Sequence, residues 1–133
     1  MAYWLLKSEP ESYSWDDLVR DGTAEWDGVR NNAAAAHLRA MQPGDRALIY
    51  HSGKEKAAVG VAEVTRGPRK DGDEGNWVSV AIRPVTPLPH PVTLAAMKAE
   101  PALAALPMLR QSRLSVSPVG ETEWATIAAL AAG

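Results

Sequence analysis

The sequence predicts an α+β fold: a small, mainly antiparallel, distorted β-barrel of five to six strands flanked by three to four short helices. Three observations carry this. The chain has 133 residues, 46% of them hydrophobic, enough for one core and one domain over residues 1–133. Short apolar runs, some alternating with period two, mark the strands. Long irregular links join them where a doubly wound parallel sheet would carry regular crossover helices.

Tyr3 to Lys7 is apolar and aromatic, a strand, and Ser8-Glu9-Pro10-Glu11-Ser12 breaks it. Ser14 is placed to cap a short helix that ends near Gly22, with Asp17 three residues on in capping-box spacing. Trp26 to Arg30 is a loop, and Asn31 or Asn32 caps the next helix, Ala33 to Met41. Pro43-Gly44-Asp45 turns the chain into a strand over Arg46 to Ser52. A polar hairpin, 52–56, leads to a strand over Ala57 to Thr65, with Gly60 as a bulge or point of close approach. Gly67 to Asn76 is a charged, glycine-rich loop. Trp77 to Arg83 alternates as a half-buried strand, and the four prolines between Pro84 and Pro91 imply an irregular crossover. Thr93 caps a helix over Leu94 to Ala99, and Glu100-Pro101 opens a further turn. Leu114 to Ser117 alternates as a strand, and Gly120 or Thr122 begins a last helix with Trp124, Ile127, Ala128 and Leu130 on its apolar face.

The chain has no cysteine, so disulfides, thiolate metal sites and a Cys nucleophile are excluded. His37, His51 and His90 have no ligand spacing, so neither a metal nor a cofactor is expected. The first residues read as a strand and not as a signal peptide, and no apolar run approaches a membrane span, so the cytoplasm is the expected location. No nucleophile motif or phosphate loop is present. His51 and Ser52 are adjacent on a strand and point to opposite faces, so they cannot form a catalytic pair unless the strand is bulged there. No catalytic residue is expected.

Net charge is −2, but it is unevenly spread. Residues 1–27 hold two basic and seven acidic side chains, whereas 28–70 hold eight basic and three acidic. Such a chain can present a positive face to an anion.

Trp26-Asp27-Gly28-Val29-Arg30-Asn31 packs an indole, a carboxylate, a guanidinium and an amide into six residues at a loop-to-helix junction. This suits one wall of a site for a flat, polar ligand. Lys7-Ser8-Glu9 and Tyr50-His51-Ser52 each close a strand with polar groups, and Arg110-Gln111-Ser112-Arg113 sets two guanidiniums three apart, a spacing that suits phosphates. Each feature alone is also an ordinary strand-end or surface feature. Together they match a flipped-base pocket: an aromatic face to stack on, polar edges to read, arginines for flanking phosphates.

The blocks Tyr3-Trp4-Leu5-Leu6-Lys7-Ser8-Glu9-Pro10, 26–31, Pro43-Gly44-Asp45, 50–52, Gly60-Val61-Ala62-Glu63-Val64 and 110–116 occur in this order, and the match runs from Tyr3 to Trp124. The chain resembles an EVE domain of the PUA-like superfamily. The resemblance implies a barrel flanked by helices, kinship with YTH domains, and a reader of modified bases, modified cytosine in DNA first and RNA bases second. It aligns Lys7 and Ser8 with the Lys-Ser pair at the YTH pocket and Trp26 with its first cage Trp. Glu9, Arg30, Asn31, Tyr50, His51 and Ser52 fall in blocks typical of EVE domains. The segment 67–76, where YTH domains draw a second cage aromatic, has none here.

The expected ligand-binding set is therefore Lys7, Ser8, Glu9, Trp26, Gly28, Val29, Arg30, Asn31, Tyr50, His51 and Ser52. Arg30, Arg110, Gln111, Ser112 and Arg113 are expected on the nucleic-acid backbone. The expected partner is DNA or RNA carrying a modified base, with no membrane partner. A free modified nucleoside is the alternative ligand, and a nucleoside-processing enzyme the third reading.

Overall fold

The computed structural model describes all 133 residues. Six strands form one sheet in the order β2-β5-β4-β3-β1-β6. They are β1 (Tyr3–Ser8), β2 (Ala24–Trp26), β3 (Arg46–His51), β4 (Ala57–Lys70), β5 (Val78–Thr93) and β6 (Val116–Val119). Only β1 and β3 pair in parallel. The sheet is not closed: β2 and β6 are its edges. The helices are α1 (Trp15–Asp21), α2 (Asn32–Ala40), α3 (Leu94–Lys98), α4 (Pro107–Arg110) and α5 (Glu121–Ala132), with a 3-10 turn at Pro101–Leu103. Helix α2 packs against β4, β5 and the edge strand β6.

Both faces of the sheet are covered, which explains why β1 reads as a continuous apolar run. Trp4 and Leu6 enter one core with Trp15, Leu18, Leu38, Ile49 and Ile82. Leu5 enters the other with Leu48, Tyr50, Met97, Leu106 and Ile127. Leu5 and Leu6 are fully buried, each stabilising the fold by about 1.5–3 kcal/mol. Asp45 pins the start of β1: its buried carboxylate accepts from Ala2 N, Trp4 Nε1 and Gln42 N.

The capping expectations hold. Ser14 and Asp17 form the capping box of α1, Asn31 Oδ1 accepts from Ala34 N, and Thr93 Oγ1 accepts from Ala96 N. Gly60 sits at a register shift, and a Cβ there would meet the Trp15 ring at 2.5 Å.

Four features differ from the sequence reading. β4 extends to Lys70, and β5 begins at Val78, so the loop between them is shorter. β5 runs through all four prolines. The edge strand β2 pairs only with Val80 to Ile82, so from Arg83 onward β5 needs hydrogen bonds on its β4 side alone, and the ladder there is shifted near Gly60 and Val61. β2 itself, three residues long, and α4 went unanticipated because neither has a full period of pattern.

Candidate functional site

The largest cleft, about 640 Å³, lies between the end of β1, the segment before α1, and β2 with the loop that follows it. Lys7, Ser8, Glu9, Trp26, Gly28, Val29 and Arg30 all line it. Tyr13, Glu25 and Asp27 join them.

Trp26 ends β2, paired with Val80. Part of its ring packs on the core, and the half-buried remainder faces the cleft. Tyr13 meets it edge-on, ring centroids 6.4 Å apart and planes at 79°. Tyr13 thus supplies a second aromatic wall, from the segment before α1 and not from the β4–β5 loop. Its hydroxyl donates to Asp21 Oδ2 at 2.8 Å. Desolvation, reinforced by that carboxylate, pushes the Tyr13 hydroxyl up to about 12. It stays protonated and a donor throughout the neutral range.

The loop after Trp26 is held from outside. Asp71 Oδ2 accepts from Gly28 N at 2.9 Å and from Arg30 Nη1 at 3.0 Å. These bonds, Gly28 N–H first, hold the Asp71 carboxyl below its usual range. Gly28 has φ of +74°, which a side chain would strain. Arg30 also places its guanidinium 5.5 Å from the Trp77 ring centroid. Behind Trp26, Glu25 takes a bidentate contact from Arg66 and a hydrogen bond from Ser79 Oγ, which hold it down at about 2.

Strand alternation divides the remaining expected residues. Ser8 and His51 point to one face of the sheet, Lys7 and Tyr50 to the other. Ser8 Oγ donates to Tyr13 O at 2.6 Å, fixing the segment that carries the second aromatic. His51 is buried and both ring nitrogens are engaged: Nε2 accepts from Trp15 N at 2.9 Å and Nδ1 meets Glu55 Oε1 at 2.8 Å. It lies outside the cleft and fixes the start of α1. Tyr50 and Ser52 line a separate hollow with Lys7. Lys7 Nζ donates to Ser112 O at 2.9 Å, and burial lowers its ordinary value. Asn31 spends its side chain on capping α2 and lines a third hollow with exposed Arg110, Gln111, Ser112 and Arg113.

Tyr13, Glu25, Asp27 and Asp71 are site residues outside the set expected from the sequence. Tyr13 was one aromatic among breaker residues, and Asp71 lies 43 positions from Gly28 with no pattern linking the two.

A Rhodopseudomonas palustris protein solved by NMR is 46% identical, with a TM-score of 0.94, covering 99% of this chain and 94% of that one. Human thymocyte nuclear protein 1, crystallised in complex with DNA containing 5-methylcytosine, is 27% identical with a TM-score of 0.94, covering 100% of this chain and 99% of that one. The YTH domain of Zygosaccharomyces rouxii MRB1, solved with N6-methyladenosine RNA, shares the fold alone: TM-score 0.62 at 17% identity, covering 98% of this chain and 86% of that one. The EVE domain model matches residues 2–130, and the chain belongs to the EVE domain family.

Proposed function

We propose that the cleft holds a modified nucleobase extruded from a nucleic acid, modified cytosine in DNA foremost and an RNA base second, and that it binds without catalysing a reaction. The observation that carries this is the Trp26–Tyr13 pair, two aromatic rings at 79° in an otherwise polar cleft. A flat base stacks on the free indole face while its edge meets polar groups. Asp21 and Glu25 are engaged by Arg20 and Arg66, which leaves Glu9 and Asp27 as the cleft's free carboxylates. A carboxylate accepts from an exocyclic amine such as cytosine N4. The human relative crystallised with 5-methylcytosine DNA supports the choice of base.

The test is a titration of oligonucleotides with and without 5-methylcytosine. Each base–aromatic stack is worth roughly 1–3 kcal/mol, so Trp26→Ala should weaken binding about tenfold to hundredfold. Unchanged affinity would remove Trp26 from the pocket.

One observation favours a second reading, a free modified nucleoside. Glu9 and Asp27 line the cleft without an ion-pair partner, against Lys7 alone, since Arg30 is paired with Asp71 and the Asp21 and Glu25 carboxylates with Arg20 and Arg66. Such a cleft does not itself attract a phosphate chain. Tighter binding of the nucleoside than of the same base in an oligonucleotide decides for this reading.

A further inference from the structure

The base cleft is acidic, yet a nucleic acid or nucleotide brings phosphates. A second hollow, of about 310 Å³, adjoins the cleft through Lys7, which lines both. Its lining holds three lysines, Lys7, Lys56 and Lys98, and no carboxylate. Tyr50 and Ser52 add hydroxyls, and Leu94, Met108 and Leu109 form an apolar floor. The charge of this hollow is thus opposite in sign to that of the cleft beside it.

The backbone builds the hollow. Lys7 stands opposite Tyr50 in the β1–β3 ladder, its Nζ 5.8 Å from the Tyr50 ring centroid. Ser52 N donates to Ser8 O at 2.9 Å, so the base cleft and the hollow share the wall made by these two strand ends. Leu94 N donates to Lys56 O at 2.8 Å, tying α3, and with it Lys98, to the β3–β4 hairpin. Lys56 has φ of +50°, and no other non-glycine residue has positive φ. Holding a lysine in that region costs on the order of 1 kcal/mol, which fixes the hairpin end that carries its side chain.

The geometry points to a phosphate-binding subsite in the hollow of Lys7, Lys56 and Lys98, taking the phosphate attached to the nucleoside whose base sits against Trp26. This rests on the base-pocket reading above and deepens it. Lys7 lines both the cleft and the hollow, and its side chain turns toward the hollow, its Nζ 5.8 Å from the Tyr50 ring centroid. It also moves the main phosphate contact away from Arg110 and Arg113, which line a different hollow with Asn31. The phosphate comes either from a nucleic-acid backbone or from a free nucleotide.

Amide chemical shifts of the full chain read the two sites separately. The probes are 5-methyl-2′-deoxycytidine, its 5′-monophosphate, and a single-stranded oligonucleotide containing 5-methylcytosine. The nucleoside should shift amides around Trp26 and Gly28 alone. The monophosphate should also shift Ser52, Gly53 and Lys98, saturably, and bind about tenfold tighter. Lys56→Gln with Lys98→Gln should abolish that gain while leaving nucleoside binding and the rest of the spectrum unchanged. In the oligonucleotide arm the same double variant should reduce the dependence of log affinity on log salt by about 0.7, the worth of one phosphate contact on a single strand. An effect in that arm without one for the monophosphate assigns the hollow to a polymer backbone; the reverse assigns it to a free nucleotide. Shifts at Trp26 with none at Ser52, Gly53 or Lys98 for either phosphate-bearing probe overturn the subsite and leave the base pocket standing. Shifts at Ser52, Gly53 and Lys98 alone show that the hollow takes a phosphate but overturn the base pocket and the link between the two. No saturable shift at either place overturns both.

Discussion

Arg30 Nη1 lies 3.0 Å from Asp71 Oδ2, and the same oxygen accepts from Gly28 N, so one carboxylate at the β4–β5 turn sets the outer wall of the cleft. A loop with a glycine at positive φ has many shapes open to it, and ordering it on binding costs affinity. Asp71→Ala should weaken ligand binding by about 1–2 kcal/mol, the worth of the lost bonds and the restored loop freedom. Asp71→Asn keeps one acceptor oxygen and should recover part of the loss. Titration of both variants checks this, and an Asp71→Ala protein that binds like the parent shows the loop to be held by other contacts.

His51 should behave as a structural residue. Its Nε2 accepts the Trp15 backbone N–H, so a neutral ring carries its proton on Nδ1 and donates it to Glu55. His51→Ala leaves a buried donor without a partner and should cost about 1–3 kcal/mol of stability. Well below the melting transition, discrimination between modified and unmodified bases should be unchanged. A variant with normal stability but lost discrimination would return His51 to the ligand.

The sequence carries the cleft's inner half more plainly than its outer half. Trp26, Lys7 and Glu9 stand beside strand breakers, where the chain must leave the sheet and expose side chains, and all three line the cleft. His51 and Asn31 have the same polar character, but His51 is buried against Trp15 N and Asn31 spends its side chain on capping Ala34 N. Which way a strand-end residue points depends on a register set by pairing partners far away in sequence. Ser8 and Lys7 illustrate this: neighbours in sequence, they serve opposite faces of the sheet. Tyr13 and Asp71 reach the site only through long-range packing, which no local period encodes. The continuation of β5 through its prolines was hidden for the same reason, since a proline's cost depends on whether a strand lies on its N–H side.

Gly60 is where the β-ladder meets α1. A Cβ built on it would stand 2.5 Å from Trp15 Cε3, inside any permitted contact, and Trp15 is buried. Gly60→Ala must therefore push the indole or the β4 backbone aside. The expected loss is about 1–3 kcal/mol, the usual range for overpacking a dense core. Chemical denaturation measures it. Because Trp15 opens the helix that follows Tyr13, the displacement should also loosen the Trp26–Tyr13 contact and change tryptophan fluorescence. A Gly60→Ala protein with unaltered stability and fluorescence would show that the indole has room to yield.

Glu25 predicts how the fold responds to acid. Arg66, then Ser79, holds its carboxyl down at about 2 against an ordinary value of 4.5. The folded state therefore gives up this proton more readily than the unfolded chain does, and the unfolded chain binds more protons between about pH 4.5 and pH 2. Stability from Glu25 is fully present above pH 4.5 and is lost as pH falls through that window. Asp17, Asp21, Asp45 and Asp71 are shifted the same way, so the wild-type slope is the sum of several groups. Glu25→Gln removes one titrating group, and its slope of unfolding free energy against pH should be shallower by up to one proton between pH 4.5 and 2. It also takes away the charge that Arg66 and Arg69 share, so near pH 7 the variant should be less stable than the parent, while the two converge near pH 2. The solvent exposure of this pair limits the difference. Parallel pH profiles for parent and variant would mean that the Glu25–Arg66 contact does not persist in solution, and the β2 edge carrying Trp26 would then rest on its three-residue ladder with β5 alone.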